Sequence, residues 1–146
     1  MLTIDLARLE REGSLEIQAG IPPDDPSWEG TELRFSAPLS GSGGVQWITS
    51  GEVVAHVTLR GSLEQECRRC LEPVDVPMSE DLYLVYAPPR EGAEEGDEET
   101  RPLPTDSSVL RLGEAIREEV ILSQWPFALC RTDCKGICPT CWTNLN

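Results

Sequence analysis

At 146 residues, 39 % of them hydrophobic and only 5 % aromatic, the chain can bury one modest core filled mainly by aliphatic side chains. The formal charge of −14, from 26 acidic against 12 basic residues, argues against a broad phosphate-gripping surface and suits a basic protein partner. No apolar run approaches the ~18 residues of a membrane span, and the opening Met-Leu-Thr-Ile-Asp-Leu lacks a basic n-region, so a cytoplasmic protein in a reducing compartment is expected, without a membrane partner.

In chain order, residues 14–19 alternate, with Leu15 and Ile17 against Glu16 and Gln18, which predicts a half-buried strand. Pro22, Pro23 and Pro26 mark a loop. Leu33, Phe35 and Ala37 alternate again, followed by a Gly/Ser cluster at 40–44 that reads as a turn. Residues 45–49 and 52–59 read as two strands of a hairpin joined through Ser50-Gly51, and Gly61-Ser62 reads as a break before residues 63–66. Residues 74–86 supply a further strand, with Leu82, Leu84 and Tyr86 on one face and Tyr83 and Val85 on the other.

The composition then changes. From 87 to 105 the chain carries Pro88-Pro89, then Glu91, Glu94, Glu95, Asp97, Glu98 and Glu99, then Pro102 and Pro104. Such a block repels itself and buries little, which predicts an acidic loop rather than a docking arm. Beyond it, Gly113 is expected to cap a helix with Glu114 in its first turn, and Leu112, Ile116 and Val120 form its apolar stripe. Pro126 ends it. The expected architecture is α+β and mainly antiparallel, a twisted sheet or partly closed barrel with a C-terminal helix and a Cys-rich zinc-knuckle tail. Its parts are a β-rich region at 1–86, the acidic linker at 87–105, and the helix and tail at 106–146 packing on the same domain.

The chemistry lies in six cysteines. Cys67 and Cys70 form one Cys-x-x-Cys pair; Cys130, Cys134, Cys138 and Cys141 follow in the tail. Closely spaced thiolates can converge on one soft ion, and tetrahedral sulfur selects zinc over oxygen-seeking cations. An iron–sulfur cluster uses the same ligands. Two sets are open: the local four (Cys130, Cys134, Cys138, Cys141) or a bridging four (Cys67, Cys70, Cys138, Cys141). Arg68, Arg69, Arg131 and Lys135 flank the cysteines, either offsetting the thiolate charge or forming a patch for RNA or a protein partner. A thiol–disulfide redox pair at Cys67 and Cys70 is the rival reading, although such a pair belongs at a helix N-terminus and these residues lie between strands. His56, the single histidine, reads as a sheet-face residue, and no hydrolase triad, phosphate loop or dinucleotide fingerprint is present, so neither enzymatic activity nor a small-molecule substrate is expected.

The central Cys67-Arg-Arg-Cys70-Leu71, the helical Ile116-Arg-Glu-Glu119, and the tail from Leu129 through Cys141 to Asn144-Leu-Asn146 together resemble the large ribosomal RNA subunit accumulation protein (YceD) family. The resemblance implies a non-catalytic role in large-subunit (23S) ribosomal RNA accumulation, with the pre-50S particle, ribosomal RNA or a basic large-subunit ribosomal protein as partner. Family members lacking the tail cysteines imply that metal supports this role rather than supplying it. Where the family usually has Gly after the last cysteine, which permits a left-handed backbone, this chain has Trp142.

Overall fold

Two long strands organise the molecule, whose computed structural model describes residues 3–89, 100–105, 107–124 and 127–146. Val53–Glu66 (β4) and Pro73–Ala87 (β5) pair antiparallel from Val53↔Tyr86 to Glu66↔Pro73, the latter pair flanking the first Cys-x-x-Cys. Ser14–Ile21 (β2) and Leu39–Trp47 (β3) extend the sheet on the other side of β4, and Thr100–Pro102 (β6) adds a short parallel strand beside β5. The order β2-β3-β4-β5-β6 is an open sheet rather than a closed barrel. Thr3–Asp5 (β1) and Val109–Arg111 (β7) form a separate antiparallel pair.

The alternation of apolar residues sets the buried face. Val53, Ala55, Val57 and Leu59 of β4 are fully buried, with Leu82, Leu84 and Tyr86 of β5 beside them. His56 and Tyr83 project to the opposite face, where their rings stack at 4.4 Å. The helix Gly113–Leu122 (α2) closes the core: Leu112, Ile116 and Val120 are all 0 % exposed and share one apolar cluster with the strands. Leu112, not Gly113, holds the N-cap position, and no side chain caps the helix. An ion pair from Arg101 to Glu118, 2.7 Å, ties β6 to α2. Among the described residues this makes an α+β fold with two α-helices, the other being Leu6–Glu12 (α1). Asp5 caps α1 through the amides of Ala7 and Arg8, and Gly13 ends it at φ 78°.

Several local expectations fail for tertiary reasons. Residues 40–44 are the middle of β3, not a turn, because β2 and β4 pair with them on both sides. Gly43 is required there by contact, since a Cβ would lie 1.9 Å from the His56 carbonyl oxygen. Gly61 does not break β4; its missing side chain makes room for the buried Leu39, whose Cδ1 would lie 2.8 Å from a Cβ. Residues 33–37 form no strand but a single bridge, Phe35↔Leu63, because Pro38 has no amide to extend the ladder. The 48–52 turn forms as expected, with Gly51 at φ 83° and its amide bonded to the Ile48 carbonyl. The acidic run from Glu91 to Glu99, and Pro126, lie outside the described residues, but the 87–105 stretch does contribute β6 at its end.

A four-thiol cluster as candidate metal centre

The turn between β4 and β5 holds the first knuckle. Cys67 N donates to the Glu72 carbonyl (2.8 Å) and Leu71 N to the Cys67 carbonyl (2.9 Å), closing a tight loop that turns both sulfurs inward. Leu71 takes a left-handed backbone, φ 62°. The tail is drawn onto this loop by long-range bonds: Arg68 N donates to the Ala128 carbonyl (2.9 Å), and the Arg69 guanidinium to the Cys134 carbonyl (3.0 Å). Gly136, φ 80°, lets the tail pass close to Arg69, whose carbonyl oxygen would lie 3.2 Å from a Cβ.

The four sulfurs of Cys67, Cys70, Cys130 and Cys134 consequently lie within 4.8 Å of one another. Cys67 and Cys134 are 3.7 Å apart, and Cys70 and Cys130 are 3.6 Å apart. A tetrahedral ion with metal–sulfur bonds of about 2.3 Å requires sulfur–sulfur edges of about 3.8 Å, so the cluster can hold one metal ion. This quartet is neither expected set. It takes both central cysteines and the first tail pair, while Cys138 and Cys141 stay outside it. Spacing alone misleads here because the long-range bonds of Arg68 and Arg69, invisible in a local motif, decide which tail segment reaches the knuckle.

The electrostatics suit a cation. Backbone N–H groups, Cys70's foremost with Cys130 and Arg69 adding to it, hold the Cys67 thiol down to about 6. The Asn146 side-chain amide, 3.3 Å from the sulfur, lowers Cys134. Desolvation and then the Cys134, Cys70 and Cys67 thiols push Cys130 up to about 12. Cys70 is raised as well: the Glu72 backbone pulls it down, but desolvation together with the Cys67 and Cys134 thiols outweighs that. Four converging thiols cannot all ionise side by side, and a dication is what relieves the repulsion.

Asn146 is the residue that spacing did not reveal. Its side chain reaches Cys134 Sγ through Nδ2 and accepts from Lys135 N through Oδ1 (2.9 Å), which gives the terminal Asn-Leu-Asn a structural meaning. The flanking cations divide in role. Arg69 is engaged with the Cys134 carbonyl, Arg68 lies 4.5 Å over the Phe127 ring, and Arg131 pairs with Asp133 at 3.4 Å. Lys135 is exposed. Neither Cys67 nor Cys70 sits at a helix N-terminus, the setting a redox pair would need.

The fold and site define a small β-sheet protein cross-braced by a thiol cluster in which Cys67, Cys70 and Cys134 are buried and Cys130 is exposed. A model of the family described as "Large ribosomal RNA subunit accumulation protein YceD" matches residues 55–146, and the chain belongs to that family. The chain is also similar to "Uncharacterized protein Rv2926c" of Mycobacterium tuberculosis (strain H37Rv) and "Uncharacterized protein Mb2951c" of Mycobacterium bovis. Each is 30 % identical over 144 residues, covering 96 % of this chain and 69 % of the relative. No solved structure matches the chain significantly. Among the described residues, no helix is long and apolar enough to cross a membrane.

Proposed function

We propose that this chain is a non-enzymatic, cytoplasmic assembly factor that supports accumulation of large-subunit ribosomal RNA. It acts by binding precursor ribosomal RNA, a basic large-subunit ribosomal protein, or both on the pre-50S particle. Membership of a family named for that role is the observation that carries the reading. The site agrees with it. Cys67, Cys70 and Cys134 are nearly fully buried, and four thiolates would saturate a tetrahedral ion, leaving no open position for catalysis.

The ion in this reading is zinc, and its work is structural: it fastens the β4–β5 turn to the tail. Residues 106–146 then act with residues 1–86 as one unit, since α2 shares their core. In this reading the exposed Arg68 and Lys135, together with Arg131, which already pairs with Asp133, offset the net charge of a zinc–thiolate centre and offer contacts to RNA or a partner. Depleting the protein should lower mature large-subunit RNA while sparing the small subunit, with rescue by the wild-type gene; equal loss of both RNAs, or of neither, refutes the reading. Metal analysis of the purified protein should find zinc without the visible absorbance of iron.

A further inference from the structure

Cys138 and Cys141 lie outside the quartet, yet their loop repeats the first knuckle bond for bond. Trp142 N donates to the Cys138 carbonyl (2.9 Å), as Leu71 N does to Cys67 (2.9 Å). Cys138 N donates to the Thr143 carbonyl (2.8 Å), as Cys67 N does to Glu72 (2.8 Å). The residue after the second cysteine has φ 62° in both, and among the described residues Leu71 and Trp142 are the only non-glycines with positive φ. A left-handed backbone is unfavourable for a residue that bears a side chain, and the chain holds that strain twice at the same place in the same motif. Trp142 therefore holds the left-handed backbone that Gly adopts most readily.

The first loop is half of a four-thiol site. The second is the same half with no remaining donors nearby: among the described residues, no other His, Cys, Asp or Glu joins Cys138 and Cys141 in a group able to hold an ion. Its surroundings face outward. Cys141 is exposed, Trp142 is 72 % exposed and Leu145 is 48 % exposed, which is apolar surface beside a pair of soft ligands.

We propose that Cys138 and Cys141 form a second zinc half-site, completed by the same two cysteines of a second copy of this chain, so that one ion bridges a two-fold dimer. A two-fold axis through the ion turns one preformed pair into four tetrahedral thiolates and brings the Trp142 and Leu145 surfaces of both copies toward the contact. Each thiol releases its proton on binding, two per chain, and the four thiolates take up one dication. A charge of −14 on each chain opposes association, so the ion is what holds the pair together.

Light scattering or sedimentation of the full chain tests this, with zinc added beyond saturation of the quartet and the metal content measured in parallel. The expected result is a dimer that takes up one extra ion per two chains and returns to monomer under a weak chelator that leaves the four-thiol quartet filled. The Cys138→Ser/Cys141→Ser variant should stay monomeric while keeping the quartet ion and the far-UV spectrum of the folded chain. Three results overturn the proposal: a wild type that takes up no extra ion, one that takes it up as a monomer, or a variant that still dimerises with zinc.

Discussion

Replacing Cys134 by Ser tests the quartet most directly. The substitution trades a buried soft thiolate for a hydroxyl that does not ionise near neutrality, and it removes one corner of a tetrahedron whose Cys67–Cys134 edge is 3.7 Å. Structural zinc contributes about 10–16 kcal/mol in small thiolate-bearing folds, so one ligand in four is worth about 2.5–4 kcal/mol, on the order of a hundred- to a thousand-fold in affinity. Competition against a chromophoric chelator reads that loss for the tightest-bound ion. Cys138→Ser should leave the same ion unchanged, because Cys138 lies outside the group of four. The local and bridging sets expected from spacing both include Cys138. A loss in Cys138→Ser would therefore refute the quartet, restoring the local set if Cys134→Ser loses as much and the bridging set, which lacks Cys134, if Cys134→Ser loses nothing.

Asn146→Ala removes the amide that steadies Cys134 Sγ and should weaken the tightest ion about 10- to 100-fold, as outer-shell losses generally do; an unchanged affinity in the same competition would show that this bond is incidental. Ile116→Ala opens a hole under α2 at a side chain that is 0 % exposed, and urea unfolding should show a loss of about 2–5 kcal/mol. A loss under 1 kcal/mol would mean that α2 does not seal the sheet. Asp25 accepts from the Ser27 hydroxyl and amide, which hold its carboxyl below the ordinary 3.8. Its contribution is therefore present above pH 3.8 and is lost as pH falls through the lower folded value. Acid titration of stability should be shallower in Asp25→Asn, and identical acid limbs would rule out this contribution.

Much of the fold was legible wherever one physical pattern acts alone. The alternation in residues 14–19 and 82–86 located strands because a sheet with one buried face imposes a period of two, and Leu112, Ile116 and Val120 located α2 because a helix buries one stripe. The N-terminal helix went unread although Asp5 and Gly13 bracket it, since seven residues with one buried leucine show too little periodicity. The glycines at 43 and 61 misled for the opposite reason: a glycine that ends a strand and one that admits a neighbour look alike until the neighbour, the His56 carbonyl or Leu39, is in place.

The cysteines divide in the same way. By itself the sequence determined that this protein has the means to bind a soft ion, because thiolate chemistry and the close spacing of Cys67 with Cys70 and along the tail are local properties. Only the tertiary structure decided which four thiols meet. That depends on the Arg68–Ala128 and Arg69–Cys134 bonds, formed between segments about sixty residues apart, and no spacing rule encodes where two such segments cross. It also decided that Trp142 turns left-handed as Leu71 does, giving the chain two knuckles of one geometry, one inside a closed cluster and one facing solvent.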